Sequence, residues 1–265
     1  MDKIKVVVTG ATGKMGLEAL NTVIDADDLE LVGAIDVKHA GMDVGYLVGV
    51  KPIGVQVNED LATVLKEEKP DVMVDFTNPQ AVLKNIKTAL EHKVSPVVGT
   101  TGLTDSELEE IQQESKTNNT SVFIAPNFTI GAVLMMRFAK EAAKYMPHVE
   151  VIEQHHDEKL DAPSGTALKT IEMISEEREA LRQGNINEYE KIPGCRGGEH
   201  QGMRVHSVRL PGLVAHQEVI FGGQGQTLTI RHDSISRDSF RPGIALGIRK
   251  VKSLKGVVIG LENLI

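Results

Sequence analysis

Tryptophan is absent from this 265-residue chain, aromatic residues make up only 3% of it, and there is a single cysteine, Cys195. Each scarcity removes a class of protein. Too few aromatic rings remain for the stacking platforms that single-stranded nucleic acid needs. One thiol cannot form an internal disulfide, and neither a CxxC nor a Cys/His zinc pattern exists, which fits a reducing compartment. The H-E-x-x-H pattern is missing as well, so no metal is expected. No apolar run reaches membrane-spanning length, and the N-terminal run in MDKIKVVVTGATGKMG stops at Gly10 without the cleavage site of a secretory leader. Positive charge is in deficit, 29 Lys+Arg against 37 Asp+Glu for a net −8, a field that repels nucleic acid and anionic membrane. These absences predict a cytoplasmic protein with no nucleic-acid or membrane partner. Any anionic ligand must then be held by a local site.

What is present divides in two. In the first half, short β-branched runs alternate with segments of helical pattern: KVVV (5–8), LELVGAI (29–35), DVMVDF (71–76), SPVVGTT (95–101) and SVFIAPN (121–127). Each run is nearly continuous in apolar character, as expected of strands buried on both faces of a parallel sheet. Helices are expected near 15–25, 79–93 and 104–118, the last opened by a capping box of Thr104 and Glu107. The pattern predicts an α/β, Rossmann-like doubly wound sheet. Beyond residue 128 the texture changes to a helix (129–145), a strand (149–155), a helix (166–178) and then RVHSVRL, HQEVIFG and QTLTIRHD, which alternate and are joined by PGLVA and GGQG. These three read as an antiparallel meander in a second, α+β domain. The expected division is 1–127 plus 237–265 as a dinucleotide-binding domain, with 128–236 for substrate and oligomerisation. Residues 182–202 read as one long glycine-rich loop.

VVVTGATGKMG places Gly10, Gly13 and Gly16 where the first strand turns into a helix. A tight turn, a close backbone approach to a pyrophosphate and a helix N-terminus aimed at its charge all call for glycine there. The second strand ends in Asp36, twenty residues after Gly16, where a carboxylate receives ribose hydroxyls. Lys38 and His39 follow and can meet a 2′-phosphate, so NADH and NADPH both remain open. Two further strand ends, DFTNP (75–79) with Phe76 and GTTG (99–102), should reach the same crevice.

In VEVIEQHHDEKLDAPSGTALKT, strand alternation puts Val149, Val151, Glu153 and His155 on one face, and His156 points away unless the strand has ended. Lys159 adds a cation. Ser164 or Thr166 can cap the helix that follows, while Gly165 between them leaves its N–H groups accessible to a carboxylate. A histidine, a lysine and an anion nest together suit a small dianionic substrate whose reduction also needs a proton.

The stretch Glu153 to Ala167, EQHHDEKLDAPSGTA, resembles the signature of the dihydrodipicolinate reductase family, the 4-hydroxy-tetrahydrodipicolinate reductases of lysine and diaminopimelate biosynthesis. Gly10 to Gly16, Asp75-Phe76-Thr77, Gly99 to Gly102 and Ala125 to Phe128 are similar to the family's cofactor-side motifs, in the same order, so the resemblance covers essentially the whole chain. It implies NAD(P)H-dependent reduction of a dicarboxylate ring, with His155 as general acid/base, Lys159 as proton donor, His156 as substrate ligand, and Gly165 and Thr166 at a substrate carboxylate. Cofactor contacts carry over to Gly10, Ala11, Thr12, Gly13, Lys14, Met15, Asp36, Gly99, Thr100, Thr101, Ala125, Pro126, Asn127 and Phe128. A homotetramer joined through the second sheet is also implied. Where some members have basic residues for NADPH, this chain has Val37 and Asn78. Two other readings stand beside this one: another two-domain dehydrogenase of the aspartate-semialdehyde or homoserine type, and a redox sensor that binds NADH without turnover.

Overall fold

The computed structural model describes residues 2–265. In chain order its strands are β1 (Ile4–Thr9), β2 (Leu29–Ile35), β3 (Val57–Asn58), β4 (Val72–Asp75), β5 (Ser95–Val98), β6 (Val122–Ile124), β7 (His148–His155), β8 (Gly198–His200), β9 (Met203–Arg209), β10 (Ala215–Gly223), β11 (Gln226–Ser234) and β12 (Val257–Ile259). The helices are α1 (Lys14–Asp25), α2 (Val44–Val48), α3 (Leu61–Glu68), α4 (Val82–Glu91), α5 (Asp105–Asn118), α6 (Ile130–Ala143), α7 (Gly165–Ser175) and α8 (Arg241–Val251). Two compact units result: one runs to Phe128 and takes in Arg237–Ile265, and the other is Thr129–Ser236.

The first unit holds a sheet in the order β12-β6-β5-β4-β1-β2-β3, every pair of it parallel. Its strands are apolar at consecutive positions because both faces are covered. Val6, Val7 and Val8 on β1 and Val72, Met73 and Val74 on β4 are all fully buried, each worth about 1.5–3 kcal/mol of burial. One layer packs Val7, Ile35, Val64, Leu65 and Met73 together, another Ile86, Leu90, Val98, Ile111 and Val122. The order reverses at β1, so the chain leaves β1 and β4 in opposite directions and a crevice opens at their carboxyl ends. The capping box at α5 forms as expected, Thr104 accepting from the Glu107 N–H and Glu107 reaching back to Thr104. The tail adds α8 and then β12 at the sheet edge.

The second unit's sheet runs β11-β10-β7-β9-β8 and is mixed. Here the expected meander is corrected. The β10–β11 hairpin forms, but β9 does not pair with β10: β7 lies between them, antiparallel to β10 and parallel to β9. The residues between Arg209 and Ala215 are therefore a crossing over the end of β7 rather than a hairpin turn, a span of about 10 Å that five residues cover easily. The glycine-rich stretch also holds a strand, β8. Helices α6 and α7 pack on one face of this sheet, burying Val149, Val151, Val219 and Phe221.

Candidate active site

Gly10 adopts φ +72°, and a Cβ there would stand 2.3 Å from the Phe76 carbonyl oxygen. Gly16 lets α1 start tight against this turn, since a Cβ would meet the Gly10 carbonyl oxygen at 1.9 Å. Gly13 differs: its nearest neighbour would be 3.3 Å away, and as N-cap of α1 it brings no side chain to the helix's first N–H groups. The helix end is left open to an anion. A pocket of about 720 Å³ extends from here past Thr9, Asp36, Lys38, Phe76 and Lys84, a size ordinary for a cofactor site.

Asp36 closes the glycine turn. One of its oxygens accepts from the Thr12 N–H at 2.9 Å, the other from the Lys38 N–H at 3.0 Å. Partial burial pushes the carboxyl up, but these N–H bonds outweigh it and hold the pKa below the usual aspartate range. The acid is thereby kept ionised, with lone pairs to spare for ribose hydroxyls. Lys38 and His39 are exposed beside it. Glycine open space, an uncapped helix start and an ionised acid at the end of β2 fit an adenine dinucleotide.

Behind this surface lies a buried hub. Asp75, fully buried at the end of β4, accepts from the hydroxyls of Thr9 (2.7 Å), Thr77 (2.8 Å) and Thr100 (2.7 Å), from the Thr77 N–H (3.1 Å) and from Asn85 (2.9 Å). The hydroxyl of Thr100 is thus committed to the protein. Phe76 packs edge-on to Phe128, which in turn meets Phe123. Ala11, Ala125 and Phe128 are buried, so any cofactor contact of theirs is through backbone. Lys14, Thr101 and Pro126 are exposed, and Met15 and Asn127 half-buried.

In the second unit β7 carries the predicted face into polar chemistry. Val149 and Val151 are buried, and next on that side comes Glu153, also fully buried. His155 Nδ1 lies 2.5 Å from Glu153 Oε2, and the Arg209 guanidinium grips both carboxylate oxygens, at 2.8 and 2.7 Å. Burial alone would raise the Glu153 pKa; His155, Arg209 and Ser207 outweigh it and lower it to about 2. The Ser164 N–H adds a bond to Glu153 at 3.2 Å, tying the start of α7 to the strand. The Ser164 hydroxyl caps that helix through the Ala167 N–H. A Cβ on Gly165 would meet nothing within 4 Å, so the helix N-terminus has open space before it. Lys159 Nζ lies 2.6 Å from Asp161 Oδ1, while His156 is half-buried one residue past the strand. His155, Lys159, Gly165 and Thr166 all fall in the segment from the end of β7 to the first turn of α7. Two residues carry contacts to which the sequence reading gave no role: Glu153, placed on the His155 face as an acid in an apolar row, and Arg209, which only the β7–β9 register sets opposite His155. Among the described residues no cluster suited to a metal ion occurs, and no helix is long and apolar enough to cross a membrane.

A doubly wound unit with this glycine turn and acid, carried with a second unit bearing histidine, lysine and an open helix N-terminus, defines a nicotinamide-dependent oxidoreductase. Residues 4–128 match the family model described as dihydrodipicolinate reductase, N-terminus, and residues 131–265 match its C-terminus. The chain belongs to the dihydrodipicolinate reductase family. It is 59% identical over 264 residues to a 4-hydroxy-tetrahydrodipicolinate reductase of Desulfitobacterium hafniense, covering 99% of each chain. A second such enzyme, from Syntrophomonas wolfei, is 52% identical over 263 residues, again with 99% of each covered. Among solved structures, dipicolinate-bound dihydrodipicolinate reductase from Paenisporosarcina sp. TG-14 is similar with a TM-score of 0.89 and 46% identity, over 99% of this chain and 100% of that one. Full-length likeness of this kind favours the reductase over a sensor or another dehydrogenase.

Proposed function

We propose that this protein reduces 4-hydroxy-tetrahydrodipicolinate to tetrahydrodipicolinate with NADH or NADPH, a step of lysine and diaminopimelate biosynthesis. The observation that carries this reading is the His155–Lys159–Gly165 segment, found in a chain that matches the family from end to end. The unit with Gly10 and Asp36 takes the dinucleotide, and the unit with His155 takes the ring. The relative from Paenisporosarcina holds dipicolinate, a flat ring with two carboxylates; such a carboxylate suits the open N-terminus of α7 at Gly165 and Thr166.

When bound, the reduced nicotinamide supplies a hydride from its C4. Loss of the 4-hydroxyl as water leaves a conjugated ring, which gains that hydride and one proton, while NAD(P)⁺ is the other product. The residues of this chain manage the proton and the charge. His155 is the general acid/base, Lys159 offers a proton and offsets negative charge on the ring, and His156 helps to hold the substrate. Asp36 accepts the ribose hydroxyls, and Lys38 stands where a 2′-phosphate would arrive.

We assign a cytoplasmic homotetramer joined through the second sheet. The face of that sheet away from α6 and α7 carries half-buried Ile152, Val208 and Ile220, and β11 is an unpaired edge, features that a neighbouring copy would cover. Sedimentation velocity tests the assembly. The activity test is loss of nicotinamide absorbance on adding the fresh condensation product of aspartate semialdehyde and pyruvate, with NADH and NADPH in parallel. His155→Ala is expected to lower kcat about a hundredfold or more with a smaller change in KM. An unchanged kcat overturns the assignment of His155.

A further inference from the structure

We propose that Glu153 and Arg209 are positioning residues for the reduction, a clamped carboxylate that sets the tautomer and aim of His155 so that Nε2 is the nitrogen turned toward the substrate. The inference rests on the reading of His155 as the acid/base.

Glu153 occupies a place where packing asks for a hydrocarbon. It follows Val149 and Val151 on the covered face of β7 and is itself fully buried. A buried ion pair is often no more stabilising than apolar side chains of the same volume, so a gain in stability over a hydrocarbon does not explain the choice of an acid here. The geometry gives another reason. An ionised carboxylate only accepts hydrogen bonds, so the His155 nitrogen 2.5 Å from Oε2 must carry its hydrogen, and the neutral ring keeps its lone pair on Nε2. Arg209 fixes the carboxylate in turn. Its fork holds both oxygens, and Nη2 also donates to the Asp161 carbonyl at 2.8 Å, tying the acid to the loop that bears Lys159. The anchoring is three-sided: β7 supplies the acid, β9 the guanidinium and the start of α7 the Ser164 N–H.

Arg209 also balances charge. An isolated carboxylate beside His155 would favour the imidazolium, and a cation pressed on the carboxylate opposes that. The charged groups bonded to the imidazole or to its clamp are Glu153 on its own strand, Arg209 opposite it on β9 and, through its backbone carbonyl to Arg209, Asp161, which pairs with Lys159. From β10 come the uncharged Ala215, its register partner, and Gln217, which faces Glu153 and bonds Thr170 of α7.

The test is the pH dependence of kcat in the full-length enzyme, for the wild type, Glu153→Gln, Arg209→Gln, Arg209→Lys and the double variant Glu153→Gln/Arg209→Gln. Circular dichroism and NADH binding check that each is folded. Glu153→Gln leaves the cation and should move the histidine limb down by about one pH unit; Arg209→Gln leaves the anion and should move it up by a similar amount. The double variant, with neither charge, should return near the wild-type limb while kcat stays on the order of tenfold low, because the tautomer is no longer dictated. Arg209→Lys should restore the limb. Should Glu153→Gln not fold, the double variant and the Arg209 pair still carry the comparison. Limbs that stay fixed in all folded variants overturn the proposal. If His155→Ala itself leaves kcat unchanged, the assignment of His155 fails instead.

Discussion

Asp75 and Thr100, 25 residues apart, meet in a 2.7 Å hydrogen bond at the buried ends of neighbouring parallel strands. The same carboxylate reaches Thr9 on the other side, so three strand ends that frame the dinucleotide crevice are tied to one acid. Thr100→Val removes one of five donors and should cost about 1–2 kcal/mol in denaturant unfolding. Asp75→Ala strands all of them and should cost at least about 3 kcal/mol, with NADH affinity falling in parallel. Equal losses in the two variants would argue against a shared hub.

The three glycines of the first turn separate folding from binding. At Gly10 a methyl group meets backbone at 2.3 Å in a left-handed conformation, whereas at Gly13 the nearest atom is 3.3 Å away. Gly10→Ala should therefore lower Tm steeply. Gly13→Ala should stay within about 1 kcal/mol of wild-type stability while raising the KM for NADH, since the methyl group intrudes where the pyrophosphate approaches. Differential scanning fluorimetry and steady-state kinetics on both variants check the contrast.

On the roles proposed for them, Asp36 and Lys38 decide cofactor choice. The Asp36 carboxylate stays ionised through its two backbone N–H bonds, which repels a 2′-phosphate, and Lys38 is the nearby exposed cation that offsets it. Lys38→Ala should raise the KM for NADPH severalfold and leave that for NADH within a factor of two, roughly a loss of 1 kcal/mol. Asp36→Asn should do the reverse, penalising NADH. A parallel change for both cofactors in either variant would contradict these roles.

Acid should unfold the second unit through Glu153. Its pKa falls from 4.5 to about 2 on folding, so the stability it contributes is fully present above pH 4.5 and is lost as pH drops through 2. The shift of about 2.5 units corresponds to about 3 kcal/mol at neutral pH. Urea midpoints measured from pH 6 to pH 2 should decline across that window in the wild type. The decline should be shallower in Glu153→Gln/Arg209→Gln, which has no carboxylate to protonate there.

Much of this was legible in the residues alone, for physical reasons. Buried parallel strands are apolar nearly throughout, so LELVGAI, with only Glu30 breaking the run, marked β2 to the residue, and Thr104 with Glu107 marked the start of α5. Between Asp36 and Asp60 little was readable, because β3 has two residues and α2 five, too short for periodicity to show; the eight-residue α3, capped by Asp60, was passed over. The second sheet misled because alternation reveals a strand but not its neighbour; RVHSVRL and HQEVIFG looked like a hairpin, and β7 lies between them. At the site, His155, Lys159 and Gly165 announced themselves by proximity in the chain. Arg209 could not, being 56 residues from Glu153 and joined to it only through strand register.

The first unit is built from two stretches of chain, with β12 closing its sheet beside β6 and α8 packing on β5. On a ribosome, residues 2–128 emerge early, yet the unit cannot be completed until residues 237–265 follow. The contiguous second unit, 129–236, is synthesised whole in between and is free to fold first. For the length of that interval β6 presents an uncovered edge and the apolar side of β5 lacks its helix, so the nascent chain is exposed to sticking while the proposed acid/base, His155, is already framed.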